Sequence, residues 1–195
     1  MVNQPKELIS KLQQGDQLGF VTVMDLYQNM VYNTALGIVQ NEADADDITQ
    51  DVFEQVFISI GSFKGESKLS TWLYKITISK SLDHVKKKRR KKRFGLVQSL
   101  FGASDIEKHS PIEFNHPGVQ LEQKERASEL FAALQQLPDK QKIAFILHKV
   151  EGQSYQEIAE IMNKSLYAVE ALMSRAKANL KILLHNYYYK SLSDQ

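Results

Sequence analysis

Asp44, Asp47, Asp51 and Glu54 recur at i, i+3, i+7 and i+10, so any helix that carries them shows one acidic stripe. Grouped carboxylates suit a divalent cation, acid–base work or a basic partner. No histidine lies in this stretch, and acids in a first helical turn simply suit the helix dipole. The pattern alone favours a solvated face, then a docking face for a basic partner, and catalysis least. From Glu42 to Glu54 there are six acids and no Lys or Arg, whereas Lys86 to Arg93 is an unbroken run of eight basic residues. Such asymmetry points to two partners of opposite charge.

Phe63, Trp72 and Tyr74 precede the basic run. Aromatic and cationic side chains together hold single-stranded DNA by stacking and backbone neutralisation. Contact with about six phosphates makes affinity fall roughly a thousandfold between low and near-physiological salt. The competing reading of Trp72 is a core residue. Histidines 84, 109, 116, 148 and 185 are scattered, and there is no P-loop, metal-spaced His pair or nucleophile–base constellation. No metal, cofactor or catalytic residue is therefore expected.

A second constellation lies near the C-terminus. Ser154-Tyr155-Gln156-Glu157 reads as a capping box. It opens a short helix with Tyr155, Ile158, Ala159 and Met162 on one face. Asn163-Lys164-Ser165 is a turn, and a longer helix follows from Leu166 to about Leu184, with Val169, Leu172, Ala176, Leu180 and Leu183 facing inward. This is the helix-turn-helix layout, whose second helix enters the major groove. Its outward residues are Ser165, Leu166, Tyr167, Ala168, Glu170, Ala171, Ser174 and Arg175. Tyr167 suits a phosphate or thymine methyl, Glu170 a cytosine amine, and Arg175 and Lys177 phosphates. A plain helical hairpin with a solvated face is the alternative.

The elements that must position these groups read as helices throughout. Phe20 to Val39 has apolar residues at helical spacing, and Ala43 to Ile60 carries the stripe Ile48, Val52, Phe53, Val56, Phe57, Ile60. Gly61 to Ser67 is a loop, and a third helix runs from about Leu69 into the basic run. Phe94 to Gly118, rich in Gly and Pro, reads as a linker. Helical sequence resumes near Leu121, Pro138 sits at a helix start, and Ile143 to Val150 forms a helix stopped at Gly152. The expected fold is all-α: two small helical domains, 15–93 and 121–185, joined by a flexible linker, 94–120.

Composition agrees: 195 residues, 43% hydrophobic, 25% charged, and no cysteine for disulfides or thiolate metal sites. No apolar run approaches the ~20 residues of a membrane span, and the polar stretch 1–12 lacks a signal peptide's apolar core. A cytoplasmic location is expected.

Taken together, the chain resembles sigma factors of the extracytoplasmic-function group. Gly15-Asp16-Gln17-Leu18-Gly19-Phe20 through Tyr27 looks like the family's opening helix, and Ala45 through Phe53 like its polymerase-binding motif. Phe63 to Ser67, then Thr71-Trp72-Leu73-Tyr74-Lys75-Ile76 and the basic run, resemble its promoter-melting segment. Glu151 to Ala159 resembles the entry to its second DNA module.

The resemblance implies a polymerase subunit that directs promoter-specific initiation and leaves the chemistry to core RNA polymerase. It implies that Asp47, Ile48, Thr49, Gln50, Asp51 and Glu54 bind the β′ coiled coil. Phe63, Lys64, Gly65, Glu66 and Ser67 would capture a base flipped from the −10 element. Trp72, Lys75, Ser79, Lys86, Arg89 and Arg90 would follow the melted strand. Ser165 to Arg175 would read the duplex −35 element, with the second module also touching the β flap. An anti-sigma protein is a further implied partner. Ser79 stands where the family often has Asn, and Glu170 and Leu172 replace expected phosphate contacts. A stand-alone helix-turn-helix regulator is the rival reading, but it leaves the acidic helix and the loop unexplained.

Overall fold

The computed structural model describes the backbone of residues 6–100 and 121–193, and the side chains of 8–93 and 129–185. Its helices, in chain order, are α1 (Lys6–Gln13), α2 (Gln17–Val39), α3 (Glu42–Ser59), α4 (Leu69–Leu100), α5 (Leu121–Gln136), α6 (Asp139–Lys149), α7 (Tyr155–Met162) and α8 (Leu166–Ser193). A 3₁₀ turn at Ile60–Ser62 joins α3 to the loop before α4. No strand occurs among the described residues, in agreement with the all-α expectation.

The first module is built by α1 to α4. Asp16 caps α2 by accepting from the Leu18 amide at 3.1 Å, and Asn41 caps α3 by accepting from the Asp44 amide at 2.8 Å. Val23, Tyr27 and Val31 of α2 pack with Ile48, Val52, Phe53 and Val56 of α3 and with Leu69 and Leu73 of α4. Each such side chain contributes roughly 1.5–3 kcal/mol when fully withdrawn from water. Leu12 of α1 joins this core. The polar opening stretch is thus a helix held by a few apolar residues, which sequence reading passed over. Phe57 is a correction in the other direction: it belongs to the apolar stripe of α3 but is 60% exposed, edge-on to Phe20 with ring centroids 5.4 Å apart. The core wraps less of α3 than the stripe is wide.

α4 also departs from expectation. It continues past Arg93 to Leu100, into the segment read as linker from Phe94. Gly95 does not stop it, because one helical glycine costs only about 1 kcal/mol. The rest of the expected linker and the side chains of Tyr187 to Tyr189 lie outside the described residues.

In the second module, α6 begins at Asp139 behind an N-cap Pro138, earlier than Ile143. Ile143, Ala144, Ile146 and Leu147 meet Ile158 and Ile161 of α7 and Val169 and Met173 of α8. Met173 is buried whereas Leu172 is only half-buried, and Ile161 is buried whereas Met162 is half-buried, so the inward faces of α7 and α8 are turned slightly from those expected. Ala133, Leu134 and Leu137 seat α5 against Ala176 and Leu180.

The two modules touch. Ile38 and Tyr74 of the first are buried in one cluster with Ile143, Ile146, Ile158 and Met173 of the second. Gly37 lies at the closest approach: a Cβ there would stand 3.0, 3.1 and 3.2 Å from three Ile146 side-chain carbons. Only a residue without a side chain admits Ile146 in that position.

Candidate functional site

Three surfaces carry the groups singled out above. On the first, Asp47, Gln50, Asp51 and Glu54 are exposed along α3 and line a groove with Phe20, Met24 and Phe57. Asp46 lines the same groove, although its place outside the i, i+3 stripe hid it from the sequence pattern. Ile48 is different: 2% exposed in the core, it anchors the helix and presents nothing outward. The Thr49 hydroxyl is spent within α3, donating to the Ala45 carbonyl at 2.7 Å. Asp44, the first member of the acidic stripe, turns inward to the basic run, with Lys88 at 2.7 Å and His84 at 3.3 Å. Among the described residues no three His, Asp or Glu side chains converge on a cation position.

The second surface is the loop after α3 and the face of α4 that follows it. The Phe63 ring is buried and lies 5.0 Å from that of half-buried Trp72, tilted by 38°. The Phe63 backbone carbonyl accepts from Gln13 of α1 at 2.8 Å, a tether that sequence reading did not foresee. The part of the loop facing outward is therefore Lys64, Gly65 and Glu66, with Ser67 half-buried. Gly65, at φ 71°, adopts the left-handed turn that only glycine takes without strain. Lys75, Ser79, Lys86 and Arg90 are exposed along α4. The basic run is not uniformly open: Arg89 reaches Asp139 of α6 at 3.2 Å, and Lys86 pairs with Asp83 at 3.2 Å.

The third surface is the start of α8. Ser165 caps it, accepting from the Ala168 amide at 3.2 Å. Leu166, Tyr167, Glu170, Ser174 and Arg175 are exposed, Tyr167 to 80%, while Ala168 and Ala171 are half-buried. Asn163 makes the preceding turn at φ 50°. The capping box is present in full: Glu157 Oε2 accepts from the Ser154 amide at 3.1 Å, and the Glu157 amide donates to Ser154 Oγ at 3.3 Å.

A polar contact between the modules was also missed. The Tyr74 hydroxyl donates to Glu151 Oε2 at 3.0 Å and accepts from Gln153 Nε2 at 3.3 Å. Burial drives the Tyr74 hydroxyl well above its ordinary range, with the Glu151 charge adding to the shift. Burial likewise raises Glu151. Lys68, beside the base-capture loop, bonds Glu157 Oε1 at 2.9 Å. That bond, with those from Ser154, holds Glu157 down at about 2.

Comparison with known proteins adds a consistent set of likenesses. The model of sigma-70 region 2 matches residues 23–91, and that of sigma-70 region 4 matches residues 127–180. The ECF RNA polymerase sigma factor SigW of Bacillus subtilis is 30% identical over 180 residues, covering 90% of this chain and 94% of its own. Two solved structures share the fold. CnrH, in complex with the cytosolic domain of CnrY, has a TM-score of 0.65 at 21% identity, over 92% of this chain and 96% of its own. RpoE of Bartonella quintana, in complex with the anti-sigma factor NepR, has a TM-score of 0.62 at 22% identity, over 85% of this chain and 96% of its own.

Proposed function

The chain belongs to the extracytoplasmic-function sigma factors of bacterial RNA polymerase, and from that premise we propose how its surfaces share the work of promoter-specific initiation. The groove face of α3 docks the chain on the basic coiled coil of the β′ subunit. Asp47, Gln50, Asp51 and Glu54 meet its cations, while exposed Phe20-stacked Phe57 supplies an apolar contact beside them. Charge steers the encounter and desolvated aromatic surface holds it.

Lys64 to Ser67 receive a base turned out of the −10 element, above a floor made by the Phe63–Trp72 pair. Trp72, Lys75 and Ser79 run along the opened strand, and the basic residues Lys86, Arg89 and Arg90 neutralise its phosphates. The start of α8 reads the −35 element, with Ser165 and Arg175 on phosphates and Tyr167 and Glu170 at base edges. The second module also touches the β flap. Residues 15–93 and 121–185 act as the two reading domains, with 94–120 between them. The polymerase performs all the chemistry, so the chain is not itself an enzyme. It works in the cytoplasm, on the nucleoid when active, and an anti-sigma factor is its expected inhibitor. Among the described residues no helix is long and apolar enough to cross a membrane.

The observation that carries this reading is the acidic row beside an unfilled apolar groove on α3. Asp47→Arg with Asp51→Arg tests it. Removing charge partners at such an interface costs about 2–5 kcal/mol. Retention by core polymerase should therefore fall by at least about thirtyfold, with an unchanged circular-dichroism spectrum. Undiminished binding by a folded double variant overturns the docking assignment.

A further inference from the structure

We propose that the free chain rests in a closed state in which its second module sits on the first, and that this contact must part before a promoter can be read. The proposal builds on the sigma-factor reading above. Three groups of observations carry it.

The first is the fit. Ile146 of α6 nests over Gly37 of α2, at distances that leave no room for a side chain there. Ile38 and Tyr74 are buried by the second module's own core residues. The modules thus share a continuous apolar cluster, which a chance encounter of two solvated surfaces does not produce.

The second is the set of polar latches around that cluster. Tyr74 holds Glu151 and Gln153 between α4 and the turn before α7. Lys68 holds Glu157 at one end of α4, and Arg89 holds Asp139 further along it. Lys68 borders the base-capture loop and Arg89 belongs to the proposed strand-binding row. Cations engaged by two of the protein's own carboxylates are not available to phosphate, and those carboxylates also repel the DNA backbone. Trp72, Lys75 and Ser79 stay at least partly open, so the contact covers the two flanks of the DNA face rather than its middle.

The third is geometry. The −10 and −35 elements are separated by about two helical turns of duplex, ~70 Å. Modules whose cores interpenetrate at Gly37–Ile146 cannot occupy both. Residues 101–120, drawn out at ~3.4 Å each, reach about 65–70 Å, enough for the modules to separate. The acidic face of α3 remains exposed in the closed state, so polymerase can engage it first and then supply the free energy that parts the modules.

The chain has no cysteine, so a single engineered pair tests the contact without background. In Gly37→Cys/Ile146→Cys, mild oxidation of the free full-length chain should form an intramolecular disulfide. The oxidised protein should lose at least about tenfold of its run-off transcription with core polymerase, because the competent fraction falls, and dithiothreitol should restore it. Oxidised protein that transcribes as well as reduced protein overturns the proposal. As a second measure, Gly37→Val should lower energy transfer between dyes on cysteines placed at the exposed positions Asn29 and Gln136. Adding Ile146→Ala, which returns the inserted volume, should restore the transfer. Failure of the disulfide to form, together with unchanged transfer in Gly37→Val, also overturns it. If the unsubstituted chain itself yields no run-off product on a genomic promoter library, the sigma-factor reading fails instead, while disulfide yield still reports whether the closed state forms.

Discussion

Replacing Tyr74 by Phe removes one oxygen from the junction of the two modules and leaves the ring in place. That oxygen donates to Glu151 Oε2 at 3.0 Å and receives Gln153 Nε2 at 3.3 Å. It is nearly inaccessible to water, since Tyr74 is 3% exposed. Glu151 has no spare partner to compensate, because its other carboxylate oxygen is buried without a hydrogen bond from the protein. A hydrogen bond to a charged group is worth about 1.5–3 kcal/mol, and an orphaned buried acceptor costs a similar amount. Glu151 is only half-buried, so water recovers part of this loss, and about 1.5–2 kcal/mol is expected for Tyr74→Phe. With a urea slope near 2 kcal/mol per molar, the unfolding midpoint should fall by about 0.7–1 M, read by circular dichroism. Glu151→Gln provides the control. Burial raises the Glu151 carboxyl, so the folded chain holds that proton more tightly than the unfolded one. The corresponding stability is present below the ordinary carboxylate range and is lost as pH rises through the raised value. The Glu151→Gln change removes that loss and keeps an acceptor for Tyr74, so it should be neutral to stabilising at pH 7. Tyr74→Phe should then cost less in the Glu151→Gln background than in the parent. An equal cost in both backgrounds, or no cost in either, refutes the idea that Tyr74 acts through the Glu151 charge.

Two further outcomes follow from the geometry. Glu157, held at about 2 by Lys68 and Ser154, is depressed in the folded chain; its contribution is present above the ordinary carboxylate value and disappears as pH falls from there towards 2. Lys68→Met should therefore flatten the pH dependence of stability between about pH 4.5 and 2, and an unchanged titration would show that the pair is not formed in solution. Arg175→Ala should weaken binding of the holoenzyme to −35 duplex almost equally for all sequences and reduce the salt slope by about one. A loss confined to one base pair would instead make Arg175 a base reader.

What could be read from the sequence was local. The stripe Ile48–Val52–Val56 and the Ser154–Glu157 box are written in residues a few positions apart, and both fold as expected. Phe57 misled because periodicity marks a face as apolar but not what covers it; here the first module's core stops short and leaves a groove. Asp44 misled for the converse reason, since its partners His84 and Lys88 lie forty or more positions away. α1 was missed because its short apolar face is diluted by polar residues, and a helix that short forms only when docked. The inter-module contacts left no trace at all. A glycine in a helix, a tyrosine and a glutamate distant in sequence have no shared period, and only the folded chain brings them together.

The core that supports the acidic groove draws on residues from Leu12 to Leu73 and on nothing later in the chain. During synthesis, N-terminal units of this kind fold first, and contacts between neighbouring helices form quickly. The clamp-seeking face of α3 is therefore complete while α6 is still unmade and before Ile146 can reach Gly37. Order of synthesis thus gives the nascent first module a period in which nothing from its own chain competes for it, and the closed contact becomes available only with the second module.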